Sequence, residues 1–203
     1  EKMTEGDADA LLARITPVAD HSAFAPADLV IEAATEREEI KNAIFENAGK
    51  VLHADAIMAS NTSSIPITRM ANHSPDPARF IGLHFFNPAP VMRLVEVVRT
   101  VSTSPVTLAT AVDVTQRAGR HPVVCGDRAG FIVNALLFPY LNDAVGMLEA
   151  NYASADDIDL AMKKGCGYPM GPFELLDVVG LDVSLAIQQT LYRLLVQRRS
   201  VFR

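Results

Sequence analysis

The sequence predicts an α/β sheet domain followed by an all-α domain, on the basis of three observations. Runs rich in β-branched and aromatic residues alternate with helical patterns up to about residue 125. The run at 28–34 is continuously apolar, which is typical of parallel strands that are covered on both faces. Every segment after Gly130 has a helical pattern. We therefore expect two domains, 1–127 and 128–203.

In the first domain, the alternation of strands and helices favours right-handed βαβ units and a doubly wound parallel sheet. We expect the end of a helix at 7–13 and a short extended piece at 14–18. The later strands are predicted at 28–34, 56–60, 80–86, 94–98 and 122–125, and the helices at 65–71 and 105–119.

One further helix of this domain is predicted to follow Thr35, which would form a capping box with Glu38. The helix should run to about Ala48 and end at Gly49 as its C-terminal cap. Its apolar face would consist of Ile40, Ala43, Ile44 and Ala48.

The second domain should begin with a long apolar helix from Phe131 to about Glu149, with a kink at Pro139. Three more helices are predicted: one capped by Ser154 and Asp157 and closing at Gly165, one opening at Pro172, and one over 183–196.

Composition narrows the function classes. The net charge of −6 and the pI of about 5.3 do not favour a nucleic-acid surface. We find no apolar stretch of the length that a membrane span needs. Cys125 and Cys166 do not have the spacing of a metal site, so reduced thiols in a cytoplasmic protein are expected. We predict neither a membrane nor a nucleic-acid partner.

His84 and Glu96 are ionisable residues inside two apolar strands. The short connection between these strands favours an antiparallel hairpin centred near Pro90, which would place residues 84 and 96 opposite each other. Because a buried charge needs a partner, the two side chains should pair. The pair could be a general base with its carboxylate, or an ion pair that only supports packing, and these residues alone leave both open.

Two further segments contain polar residues where ligands often bind. Residues 61–64 (NTSS) follow a strand and precede a helix, where open α/β sheets bind ligands, although the same residues could be an ordinary helix cap. Asn134 lies in an apolar helix and needs a hydrogen-bond partner, which could be a ligand or another helix.

Five segments together resemble the L-3-hydroxyacyl-CoA dehydrogenase family: 60–64 (SNTSS), 82–88 (GLHFFNP), 94–98 (LVEVV), 130–134 (GFIVN) and 167–172 (GYPMGP). The similarity covers roughly residues 8–192 in the family's order and spacing. It implies an NAD-binding Rossmann-like domain followed by a helical domain that also forms a homodimer. The implied reaction transfers hydride between the 3-hydroxyl carbon of an L-3-hydroxyacyl-CoA and NAD, in β-oxidation or butanoate metabolism.

The resemblance also implies roles for individual residues. The family's catalytic histidine and its carboxylate partner correspond to His84 and Glu96, and its substrate-contacting residues correspond to Ser63 and Asn134. Its NAD contacts correspond to Glu36, Lys41, Ser63 and Asn87.

The sequence departs from the family at both ends. The family opens with a strand and a G-x-G-x-x-G loop that cradles the pyrophosphate, and neither is present here. The tail at 193–203 is basic and unlike the family's terminal helices. We therefore expect an internal fragment with an incomplete Rossmann-like sheet, which binds NAD weakly or not at all. The alternatives are a relative that acts on a free hydroxy acid and a crystallin-like structural relative without turnover.

Overall fold

The computed structural model describes the backbone of residues 3–199 and the side chains of residues 3–193. Within these residues, a five-stranded sheet with helices is followed by elements that are all helical, which confirms the predicted fold class. The strands are β1 (Leu29–Glu32), β2 (Ile57–Ser60), β3 (Phe80–Phe85), β4 (Leu94–Arg99) and β5 (His121–Gly126). The helices are α1 (Glu5–Leu12), α2 (Glu38–Gly49), α3 (Ile67–Ala71), α4 (Pro105–Arg117), α5 (Val133–Glu149), α6 (Ala155–Gly165), α7 (Pro172–Val179) and α8 (Leu181–Arg199).

The strands follow one another across the sheet in the order of the chain. β1, β2 and β3 are parallel, β4 is antiparallel to β3, and β5 is parallel to β4. Because parallel strands end at the same edge of a sheet, the loops after β1, β2 and β3 lie along one edge. This edge carries several of the residues that the sequence singles out.

Apolar side chains from the central strands pack on both faces of the sheet. Met58 and Phe80 contact Phe45 of α2 and Met70 of α3 on one face. Ile57, Ile81, Leu83 and Val97 form a second cluster with Ala111 of α4 on the other face. The expectation of a strand covered on both faces was wrong for β1, where Ile31 is 41% exposed because β1 is an edge strand of the described sheet.

Two predictions about α2 were wrong. Thr35 accepts a hydrogen bond from the N–H of Arg37 and does not cap the helix, and Glu38 pairs with Arg69 of α3. Gly49 lies within the last turn of α2, where a side chain would come within 2.6 Å of Pro75. Residues 15–18 lie outside the helices and strands, and the extended piece expected there stays a prediction.

The buried face of α2 also differs from the predicted apolar face. Lys41, Phe45 and Ala48 are the buried residues of this helix, whereas Ile40 is 38% exposed. The helix is rotated so that the Lys41 side chain points into the protein, where it meets a carboxylate described below.

The helical elements agree closely with the prediction. α5 begins two residues after the predicted start, because Phe131 has a φ of 49° and is not yet helical. Ser154 caps α6 by accepting the N–H of Asp157, and α7 opens at Pro172. The predicted helix at 183–196 lies inside α8. The end of the basic tail, 200–203, falls outside the described residues. Among the helices that the structure describes, none is long and apolar enough to span a membrane.

Candidate active site

The β3–β4 hairpin places His84 directly opposite Glu96, as predicted. The Nδ1 atom of His84 lies 2.7 Å from Oε2 of Glu96. Both residues are buried, with exposed fractions of 6% and 0%. The short connection and the alternation along each strand bring the two side chains to the same face.

The second oxygen of Glu96 is held by the start of α5. Oε1 accepts hydrogen bonds from the backbone N–H groups of Ile132 and Val133, each at 2.9 Å. Burial raises the pKa of Glu96, but the hydrogen bonds from His84, Val133 and Ile132 outweigh it, so that the pKa lies below its usual value. Glu96 is therefore ionised near neutral pH and accepts a hydrogen bond from the N–H group at Nδ1 of His84. In the neutral form of the ring, this leaves Nε2 free to accept a proton.

Two aromatic rings pack around the imidazole. The ring centroids of Phe86 and Phe131 lie 4.6 Å and 5.5 Å from that of His84. Sequence reasoning missed these contacts and the two N–H groups on Glu96. The Gly130-Phe131 pair was a signal for the turn, since glycine favours the left-handed conformation that Gly130 adopts with a φ of 76°.

Ser63 and Glu36 form a second group of contacts at the carboxyl edge of the sheet. One carboxylate oxygen of Glu36, Oε1, accepts both the backbone N–H and the hydroxyl of Ser63, at 2.7 Å and 2.8 Å. The other accepts the hydroxyl of Thr62 at 2.7 Å. The loop after β1 is thereby tied to the loop after β2.

Asn87 follows β3 on the same edge and is exposed. The neighbouring Asn61, which the sequence did not single out individually, accepts the N–H of Phe85 at 2.8 Å and so fixes the end of β3. Glu36, Ser63 and Asn87 therefore follow three parallel strands in turn. A dinucleotide binds at this position in open α/β sheets, so these three residues fit NAD.

Lys41 does not share this position. Its side chain is 1% exposed, and its Nζ donates to Oε2 of Glu32 at 2.5 Å. The expectation that Lys41 contacts NAD stays a prediction, and in this structure its amino group faces a carboxylate inside the protein.

Asn134 is the second residue of α5 and is 9% exposed. It directly follows Val133, whose N–H holds Glu96, so α5 connects the Asn134 position to the His84 pair. Within the described residues, neither Asn87 nor Lys41 forms a hydrogen bond with the His84 pair or with the Glu36 group.

An apolar groove with a volume of about 390 Å³ lies beside the start of α5. Ile132 and Val133 line it, and their N–H groups are those that bind Glu96. The other lining residues are Leu136, Leu137, Tyr140, Tyr168, Pro169, Met170 and Leu175.

Comparison with known families and proteins agrees with this geometry. Residues 1–128 match the NAD binding domain of 3-hydroxyacyl-CoA dehydrogenase, and residues 130–202 match the C-terminal domain of the same family. The human mitochondrial hydroxyacyl-coenzyme A dehydrogenase is 54% identical over 157 residues, which are 77% of this chain and 50% of that protein. The chain thus spans about half the length of this curated relative.

Two bacterial relatives are covered more fully. A probable 3-hydroxybutyryl-CoA dehydrogenase of Deinococcus radiodurans is 43% identical, over 95% of this chain and 69% of that protein. The crystal structure of (S)-3-hydroxybutyryl-CoA dehydrogenase from Ralstonia eutropha superposes with a TM-score of 0.92 at 41% identity, over 96% of this chain and 69% of that one. The fold, the His84–Glu96 pair and these matches agree, and the chain belongs to the 3-hydroxyacyl-CoA dehydrogenase family.

Proposed function

We propose that the protein is an NAD-dependent dehydrogenase that oxidises an L-3-hydroxyacyl-CoA to the 3-ketoacyl-CoA. The observation that carries the proposal is the buried His84, whose Nδ1 is held by the ionised Glu96 and whose Nε2 is left without a protein partner among the described residues. A base with this arrangement suits the removal of a hydroxyl proton.

The proposed chemistry separates a proton from a hydride. Nε2 of His84 takes the proton of the substrate's 3-hydroxyl, and Glu96 stabilises the imidazolium that forms. When bound, NAD supplies the acceptor for the hydride from C3. The rings of Phe86 and Phe131 limit the access of water to the imidazole during this transfer.

Four residues are proposed to hold the reactants. Ser63 and Asn134 would hydrogen-bond the substrate's oxygens and orient C3, which is catalysis by positioning. Glu36, Ser63 and Asn87 would hold NAD, as their places after three parallel strands suggest. Glu36 already fixes the hydroxyl of Ser63, so its carboxylate would control which way that hydroxyl points.

The groove beside α5 is proposed to receive the acyl chain, because its apolar walls begin at the residues that hold Glu96. The names of the two bacterial relatives favour a short acyl chain such as 3-hydroxybutyryl. Such a reaction belongs to β-oxidation or to butanoate metabolism.

We also propose a homodimer formed through the helical domain, residues 128–203. Five large aliphatic side chains on the described part of its helices are more than half exposed: Leu136, Leu160, Val178, Leu181 and Leu185. A surface of this kind is typical of an interface between protein chains. A cytoplasmic location stays a prediction, since the human relative is mitochondrial.

The reduction of acetoacetyl-CoA by NADH, assayed with the whole protein, tests the proposal. We expect turnover with the thioester, and we expect His84→Gln to lower kcat by about 10²- to 10⁴-fold with little change in KM, since general base catalysis is lost. Turnover with a free hydroxy acid alone would favour the first alternative, and no turnover with either would favour a structural relative. Equal activity of His84→Gln would contradict the assigned base.

A further inference from the structure

Phe131 has a backbone conformation that bulky residues seldom adopt. Its φ of 49° lies in the left-handed region, and so does the φ of 76° at the preceding Gly130. Glycine enters this region without steric cost, whereas a side chain as large as that of phenylalanine makes the conformation strained. The proposed mechanism uses the ring of Phe131 but not its backbone, so the strain needs an explanation of its own.

The consequence of this conformation lies directly after it in the chain. The next two N–H groups, those of Ile132 and Val133, both donate to Oε1 of Glu96. Consecutive N–H groups converge on one anion where the backbone changes between the left-handed and right-handed regions. Ile132 returns to the right-handed region, with a φ of −102° and a ψ of −58°. The left-handed Phe131 is therefore the step that turns both donors towards the carboxylate.

Contacts with the sheet domain hold this turn in place. Asp127, four residues before Phe131, accepts the backbone N–H groups of Ile67 and Thr68 at the start of α3, at 3.0 Å and 2.8 Å. The Phe131 side chain is buried in the same apolar cluster as Ile67. A strained backbone persists when the surrounding structure fixes it in this way.

The two N–H groups determine how Glu96 meets His84. They occupy Oε1 and so fix the plane of the carboxylate, which leaves Oε2 at 2.7 Å from Nδ1 of His84. Without these donors, a buried carboxylate oxygen would lack hydrogen bonds, and rotation of the carboxylate would be the simplest way to recover one. The hydrogen bond to His84 would then lose its direction.

We propose that Phe131 is a positioning residue, whose left-handed backbone fixes the Glu96 carboxylate and, through it, the imidazole of His84 for proton transfer. This role of the backbone is separate from that of the ring, which packs beside the imidazole. The inference rests on the proposed function for the part that concerns catalysis, and on the backbone geometry alone for the part that concerns Glu96.

Two isomeric substitutions separate the backbone from the ring. Phe131→Leu and Phe131→Ile both remove the ring and introduce side chains of the same composition, but only isoleucine is branched at Cβ, which makes a positive φ especially unfavourable. In the whole protein, Phe131→Ile should have a kcat about tenfold below that of Phe131→Leu, with KM values within about twofold of each other. Equal kcat values would overturn the proposal.

An exposed residue provides the matched control. Asn151 follows α5 with a φ of 53°, in the same left-handed region but without a contact to Glu96. Asn151→Ile should melt at a lower temperature than Asn151→Leu, and both should keep the kcat of the unmodified protein. A loss of kcat in Asn151→Ile as large as that in Phe131→Ile would show that strain anywhere lowers activity, and would overturn the proposal.

A second pair of variants serves if isoleucine prevents folding. Phe131→Gly and Phe131→Ala leave similar space in the core, but only glycine enters the left-handed region without strain. Phe131→Gly should therefore have the higher kcat and the slower amide exchange at Ile132 and Val133, although glycine is usually the less stabilising residue. The opposite order would contradict the role of the backbone.

NMR tests the geometry without substrate or cofactor. The proton on Nδ1 of His84 and the amide protons of Ile132 and Val133 should exchange with water about tenfold faster in Phe131→Ile than in Phe131→Leu, because their hydrogen bonds to Glu96 open more often. Unchanged exchange of all three would overturn the proposal. Absence of turnover in the unmodified whole protein would refute the proposed function, whereas these exchange rates would still decide how Glu96 is held.

Kinetics test whether the effect passes through Glu96. When Glu96 is already alanine, the two N–H groups have no carboxylate to orient, so the difference in kcat between Phe131→Leu and Phe131→Ile should shrink to less than about twofold. A difference that stays at about tenfold in this background would mean that the turn acts on another group, and would overturn the proposal.

Discussion

Two buried carboxylates in this protein hold the start of a helix, and only one of them also holds a histidine. Glu96 accepts two backbone N–H groups at the start of α5, and Asp159 accepts those of Phe173 and Glu174 at the start of α7. Each arrangement places a negative charge at the positive end of a helix dipole.

The difference lies in how the oxygens are used. Asp159 gives one oxygen to each N–H, at 2.8 Å and 2.9 Å, so both oxygens serve the helix. Glu96 takes both N–H groups on Oε1 and keeps Oε2 for His84. The same carboxylate–helix contact thus becomes part of a candidate active site when one oxygen stays available to a titratable partner.

Among the changes that test this comparison, replacement of the Glu96 carboxylate gives the largest expected effect. Glu96→Gln should lower kcat by about 10- to 100-fold, since the imidazolium loses the charge that stabilises it. The acid limb of the pH profile of kcat/KM for oxidation should move to lower pH, because proton binding to the imidazole is weakened. Steady-state rates between pH 5 and pH 9 measure both effects.

Stability provides a second check on the same variant, with its own pH dependence. The pKa of Glu96 is lowered on folding, so its carboxylate stabilises the fold above the pKa of the unfolded chain, and this contribution is lost as the pH falls through the folded pKa. Glu96→Gln should therefore show weaker acid destabilisation. An unchanged pH–rate profile would place Glu96 in the same structural role as Asp159.

Asp159→Asn is the matched change on the other side of the comparison. The amide keeps one acceptor oxygen and turns its NH2 towards a helix N–H, which should lower the free energy of unfolding by about 1–3 kcal/mol. Because Asp159 holds no titratable side chain by hydrogen bond within the part of the chain that the structure describes, kcat and KM should not change. Urea unfolding and steady-state kinetics measure these two outcomes. A loss of kcat as large as that of Glu96→Gln would contradict the distinction between a structural role for Asp159 and a catalytic role for Glu96.

The sequence predicted the pairing of the two catalytic candidates because that pairing is local. Two apolar strands with one ionisable residue each, joined by a short connection, admit one register in which His84 and Glu96 share a face. The contact of Glu96 with the start of α5 is not local. It joins residues 36 positions apart and depends on the positive φ of Phe131, which no pattern of side chains specifies.

The failure at α2 has a similar cause. Ile40 and Ile44 gave an apolar pattern, and because lysine is rarely buried, nothing in the sequence predicted that Lys41 would lie in the core. In the structure the helix is turned so that Lys41 meets Glu32, nine residues earlier. Likewise, the predicted capping box does not form, and its Glu38 pairs instead with Arg69 of another helix. In each case a distant charge overrode a local preference.

A cysteine near Glu96 gives the smallest expected effect and the most direct measure of its charge. Burial raises the pKa of the Cys125 thiol to about 11, with further contributions from the charges of Glu96 and Asp127. Cys125 should therefore react slowly with iodoacetamide at pH 8, compared with the exposed Cys166.

Removal of the Glu96 charge should speed this reaction. Glu96→Gln takes away one of two negative charges that raise the pKa of Cys125, so alkylation should be faster by about threefold. Asp159→Asn leaves both charges in place and should leave the rate unchanged, as mass spectrometry of the alkylated peptides would show. Faster alkylation in both variants would indicate a general loosening of the fold. Faster alkylation in Glu96→Gln alone would mean that the carboxylate is ionised in the folded protein, as its role beside His84 requires.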